Sequence, residues 1–131
     1  MIQIKSIFIL FLLIFAIDAR AQSTFEKWPA IKTFHSVMSQ TFHPSEEGNL
    51  EPIKLRSQEM VDKAEALLIK EIPAEFKTNS ILAAVEKLQI KSKILHKMIV
   101  LKASDATITK NLSELHDVFH DIVGLCSSEK H

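Results

Sequence analysis

The sequence predicts an all-α fold, an antiparallel up-down-up-down four-helix bundle that follows a cleaved signal peptide. Three observations predict it. Apolar residues recur at spacings of three and four along four stretches. Helix breakers fall between those stretches, at Pro44 and Gly48, at Pro73, and around Ser104-Asp105. The 131-residue chain has no Tyr and two Gly, which argues against a loop-rich or all-β fold.

Residues 1–21 read as a secretory signal. Lys5 supplies a positive n-region, and Ser6 to Ile17 is an almost unbroken apolar run. That run is shorter than the roughly 20 residues that cross a bilayer. Ala19-Arg20-Ala21 matches the small-x-small cleavage pattern. The expected mature domain is 22–131, periplasmic or secreted, with no stable membrane insertion after cleavage.

The first helix is expected to begin at Pro29, a residue suited to a first turn. Its inner face carries Ile31, Phe34, His35, Met38 and Phe42. It is expected to stop near Phe42, because the residue before Pro44 is disfavoured in the helical region. Residues 45–49 form the turn, Asn49 is a candidate cap, and Pro52 is tolerated in the next first turn. The second helix presents Ile53, Ser57, Met60, Ala64, Leu67 and Leu68 and ends before Pro73. Thr78 or Asn79 caps the third, whose stripe is Ile81, Val85, Leu88, Ser92, Leu95 and Ile99. Ser104 or Asp105 caps the fourth, with the stripe Ile108, Leu112, Leu115, Phe119, Ile122 and Cys126. Short connections make sequential helices antiparallel neighbours and set the first beside the last.

Composition excludes some functions. Without residues 1–21 the formal net charge is about −1, which is no electrostatic footprint for nucleic acid. The single cysteine, Cys126, allows no internal disulfide framework. On the core stripe it reads as a small hydrophobe; as a thiol near the C-terminus it can bind metal or link two chains as a homodimer. No nucleophile–base spacing, phosphate loop or paired core carboxylates point to an enzyme.

The histidines carry the functional expectation. At about 1.5 Å per residue, His35 lies about 12 Å above the lower end of the first helix, and His116 about 15 Å up the fourth. Met38 and, on the second helix, Met60 fall near the same level, whereas His96 comes out lower. Around each helix, His35 lies about 40° from its apolar axis, His116 about 70° and His120 about 110°. His116 and His120 are four apart, so both imidazoles can reach one ion. Imidazole suits zinc, copper and nickel, and a thioether favours Cu(I), so a His35–His116–His120 site with Met38 nearby suits copper better than zinc. The candidate metal residues are His35, Met38, His43, His116 and His120. His43 equally suits a helix C-terminus, where a cation meets the dipole. Asp117 and Asp121 can orient the imidazoles from behind or serve as solvated charges. The small core positions Ser57, Ala64 and Ser92 leave room for a planar group or for close helix approach.

This layout resembles the periplasmic four-helix cytochromes, the cytochrome c-prime and b-type group. A secretory signal precedes a domain whose first helix bears Met38 and His35 and whose last bears His116 and His120. In that group the last helix supplies a haem-ligating His, and in b-type members a first-helix Met is the second ligand. The resemblance implies Met38 with His116 or His120 as cofactor-binding residues for haem b. The chain departs from the c-prime pattern at Cys126, which is followed by Ser127-Ser128-Glu129 rather than standing in Cys-x-x-Cys-His. Covalent attachment is thereby excluded. The remaining expectations are direct binding of copper, zinc or nickel, noncovalent haem in an electron carrier, or a structural and interaction bundle with no ligand.

Overall fold

A computed structural model describes residues 21–128. Within them the protein is all-helical, with a bundle-like arrangement of α1 (Pro29–Glu46), α2 (Glu51–Glu65), α3 (Asn79–Val100) and α4 (Asp105–Ser128). Two single 3₁₀ turns, Ile69–Glu71 and Ala74–Phe76, join α2 to α3. The proposed signal segment, apart from Ala21, lies outside the described residues, as does His131. No described helix is long and apolar enough to cross a membrane.

The helix starts follow from local chemistry. Pro29 and Pro52 sit in the first turns of α1 and α2, where an amide hydrogen has no intrahelical partner to lose. Asn49 Oδ1 accepts from the Glu51 amide at 3.1 Å. Thr78 Oγ1 accepts from Ile81 N at 3.2 Å, and Ser104 Oγ from Thr107 N at 3.2 Å, so the hydroxyls are the caps of α3 and α4.

The end of α1 departs from expectation. The helix runs through Pro44 to Glu46 instead of stopping near Phe42. The proline's missing N–H costs one bond, that to the carbonyl of Gln40 four residues back. The last turn is closed by other means. Gly48 adopts φ +85°, Asn49 N bonds to Pro44 O at 2.9 Å, and Gly48 N to Ser45 O at 3.0 Å. This is a Schellman closure, and it needs a left-handed residue at Gly48. Buried Thr41 adds hydroxyl bonds to the carbonyls of Val37 and Met38, and Ser45 to that of Phe42. His43 therefore stays on α1, two turns from His35.

The end of α2 also differs. The α-helix ends at Glu65, so Leu67 is buried but Leu68 is exposed rather than part of the inner face. Gln89 of α3 donates to the carbonyls of Ala64, in the last turn, and Leu67, just beyond it, at 3.1 and 3.4 Å. At the end of α3, Lys102 takes the left-handed conformation (φ 57°) in the same Schellman pattern, with Ala103 N on Met98 O.

Each helix packs on the next, and α1 also meets α4. The core is one cluster from Trp28 to Cys126. It includes both methionines of the inner faces, Met38 and Met60, and the α4 stripe from Ile108 to Cys126. The α1–α4 seam is the sparsest of these pairings. Rings fill it: Phe34 and Phe119 lie 5.8 Å apart between centroids. Residues 21–27 are also helical and fold against α1. Trp28 is buried and tilted 33° against Phe76 at 6.3 Å. Its indole Nε1 has no hydrogen-bond partner among the described residues, a cost the aromatic burial offsets.

Candidate metal centre

The loosely packed α1–α4 seam opens into a cleft of about 170 Å³. Eight residues line it: His35, Met38, Ser39, Phe42 and His43 from α1, and His116, Phe119 and His120 from α4. All five residues singled out in the sequence as metal candidates thus meet in one place. The convergence follows from the short connections, which bring α1 beside α4, and from the equal rise per residue, which puts His35 and His116 at similar heights.

His116 and His120 form the tightest polar contact. Their Nε2 atoms face each other at 3.0 Å on successive turns of α4. With both rings neutral, one Nε2–H donates to the other's lone pair. The His116 ring lies flat on Phe42, with centroids 3.7 Å apart and planes at 11°. That stacking fixes the imidazole's plane and leaves His120 edge-on to it at 4.3 Å. Asp117 Oδ1 stands 4.0 Å from His116 Nδ1, too far for a hydrogen bond but close enough to attract a proton to that nitrogen.

His35 is held differently. Its ring is sandwiched between Phe25, at 4.9 Å, and Phe119, at 5.3 Å, both nearly parallel. Burial is the main reason its pKa lies below the ordinary histidine value, with repulsion from His120 and His43 adding to it. His116 is lowered by the same two causes, burial first and then His120, against the opposing pull of Asp117 and Glu46. Both rings are therefore neutral near pH 7, the form in which imidazole offers a lone pair to a metal.

His43 lies on the exposed rim. Its Nδ1 is 3.3 Å from Glu46 Oε1, one turn along α1. Met38 forms the floor and is 1% exposed. His96 does not join the cluster; its Nδ1 is hydrogen-bonded to Ser57 Oγ at 2.8 Å between α2 and α3. Asp121 is exposed, and Cys126 is buried in the core two turns beyond Phe119.

Among the described residues, no group of three or more His, Cys, Asp or Glu side chains is arranged to hold a metal ion. The aromatic clamp holds His35 in place and His43 turns toward Glu46, while His116 and His120 meet nitrogen to nitrogen. The cleft is also smaller than the roughly 300–1,000 Å³ typical of small-molecule pockets, so it matches an ion better than a haem. Reasoning from sequence missed Phe25 and Ser39. Phe25 precedes the first proline-marked helix, and only its closeness to Trp28 hinted at an ordered aromatic segment.

The chain matches no family model, no curated protein and no solved structure.

Proposed function

We propose that this protein is an extracytoplasmic, non-catalytic metal-binding bundle that handles a transition metal ion: copper, zinc or nickel. The up-down-up-down antiparallel topology and the cleaved leader of residues 1–21 belong to this reading, as does its placement in the periplasm or outside the cell. The observation that carries it is the pair of Nε2 atoms of His116 and His120, 3.0 Å apart at the mouth of a cleft lined also by His35, Met38 and His43. Two imidazoles four residues apart on a helix can bind one ion from a single face. Burial keeps His116 neutral, so little work is spent on removing its proton. The carboxylate of Asp117 favours the proton on His116 Nδ1, which frees Nε2 for the ion. His35 and His43 border the same space as further donors, and the Met38 thioether lies beneath them.

With two chelating side chains and an open cleft, the ion would keep exchangeable positions. That arrangement fits a carrier or buffer better than a closed structural site, which takes four protein ligands.

Thermal unfolding of the mature chain with and without metal tests the reading. An ion that binds only the folded state raises the midpoint in proportion to the logarithm of its free concentration. The midpoint should rise with at least one of copper, zinc and nickel, and the rise should vanish in a His116→Ala, His120→Ala double variant. Midpoints indifferent to all three ions would overturn it in favour of a bundle that serves only as an interaction module.

A further inference from the structure

The 3.0 Å between the Nε2 atoms of His116 and His120 is a hydrogen bond between two neutral imidazoles, and an ion that binds there replaces its proton. The Asp117 carboxylate favours a proton on His116 Nδ1, so His120 is the donor of the pair. Binding then asks only that His120, which is exposed, carry its proton on Nδ1 instead of Nε2. Both rings stay neutral, and the choice of ion falls to the other donors and to charge.

Among the described residues no third His, Cys, Asp or Glu is placed to complete a metal site with this pair. His35 is clamped between two phenylalanines, and His43 is turned toward Glu46. The rest of the lining is Phe42, Phe119, Ser39 and Met38. Of these, the Met38 thioether is the ligand suited to a soft ion. Met38 stands one turn along α1 from Phe42, the ring on which His116 lies, so it borders the imidazole pair. It is 1% exposed, and its sulfur has no water left to lose.

Charge points the same way. Imidazole and thioether are uncharged, and no carboxylate or thiolate lines the cleft. Asp117 and Glu46 stand behind the ligands, beside the Nδ1 atoms of His116 and His43. The cost of desolvating an ion grows with the square of its charge, so these walls penalise a divalent ion more than a monovalent one. Zinc in a closed site takes four protein donors, and Cu(II) and Ni(II) take tetragonal or square-planar sets of nitrogen and oxygen. Cu(I) is monovalent and is the ion that thioether ligands select.

We infer that the cleft selects Cu(I), held by Nε2 of His116 and His120 and by the thioether sulfur of Met38. This rests on the metal-binding reading above and adds the oxidation state of the ion and a ligand from the opposite helix. The bound ion thereby bridges α4 to α1.

Anaerobic titration of the mature chain with Cu(I) against the chromophoric chelator bicinchoninate, paired with a Cu(II) titration and X-ray absorption of the Cu(I) form, tests it. Cu(I) should bind at least about tenfold more tightly than Cu(II), which raises the potential of the bound couple by about 59 mV or more over that of the aqueous ion. The absorption spectrum should report one sulfur and two nitrogens on copper. Met38→Leu conserves volume in the core. It should lose the sulfur signal and weaken Cu(I) by about tenfold or more, with Cu(II) binding unchanged. His120→Gln, at an exposed position, should weaken both ions. Cu(II) bound as tightly as Cu(I), or a Met38→Leu variant equal to wild type for Cu(I), would overturn the inference and leave a metal-binding protein of another selectivity. Cu(I) bound equally by wild type and His120→Gln would place the ion elsewhere and also overturn it. No bound ion of any kind would remove the metal-binding reading itself.

Discussion

His116 lies flat on Phe42, ring on ring at 3.7 Å, and this contact joins those of Phe34 and His35 with Phe119 in tying the last helix to the first. Together they explain how a sparse seam between α1 and α4 stays closed. The Phe42 contact also sets the plane in which His116 meets His120.

The lowered pKa values of His35 and His116 make stability depend on pH. The unfolded chain takes up protons first as the pH falls past the ordinary histidine value of about 6.5, because its imidazoles are solvated. Stability is therefore constant above that value and declines as the pH falls through it, until the folded imidazoles also protonate. The urea midpoint should be lower at about pH 5 than at about pH 7.5, and the difference should shrink in His35→Gln and His116→Gln. A midpoint that holds or rises on acidification would contradict burial as the cause of the shifts.

Met38 separates packing from ligation. It is 1% exposed and belongs to the core cluster. Met38→Ala should cost about 2–5 kcal/mol through the cavity it leaves. Met38→Leu conserves volume and should cost less than about 1.5 kcal/mol. If the imidazole pair alone holds the ion, Met38→Leu binds metal as wild type does; a tenfold or greater loss in that variant would make the thioether a ligand. Denaturant unfolding and a metal titration of both variants decide the matter.

The helix ends offer a test of the backbone account. Lys102 pays for a left-handed φ of 57° that Gly48 adopts freely at +85° in the equivalent position after α1. Lys102→Gly should stabilise by up to about 1 kcal/mol, since a side chain there costs about 1–2 kcal/mol and glycine's extra unfolded-state freedom returns part of it. Gly48→Ala should destabilise by about 1 kcal/mol, although a Cβ there would touch nothing. Equal stabilities for wild type and both variants would show that these turns are not conformationally demanding.

Much of this was legible in sequence because it depends on regular geometry. A 3.6-residue period identified the buried stripes of α3 and α4 nearly residue for residue, and a fixed rise per residue placed His35 level with His116. What escaped depends on contacts without a period. Pro44 reads as a stop, because the rule for the preceding residue does not see Gly48, Thr41 and Ser45 completing the turn around it. Phe42 and Phe119 read as plain core, yet they are the surfaces on which two histidines stack. The rise per residue sets His96 below the other histidines, but only its hydrogen bond to Ser57 shows that it faces α2. Phe25 sits in a segment too short to show helical periodicity, though its ring covers His35.

The most direct test of the central claim is the metal content of the untagged mature chain after incubation with copper, zinc and nickel and removal of loosely held ions, read by elemental analysis. The account predicts close to one ion per chain in wild type and none in the His116→Ala, His120→Ala double variant. Wild-type protein that emerges empty, or a double variant that retains the same ion, would contradict it.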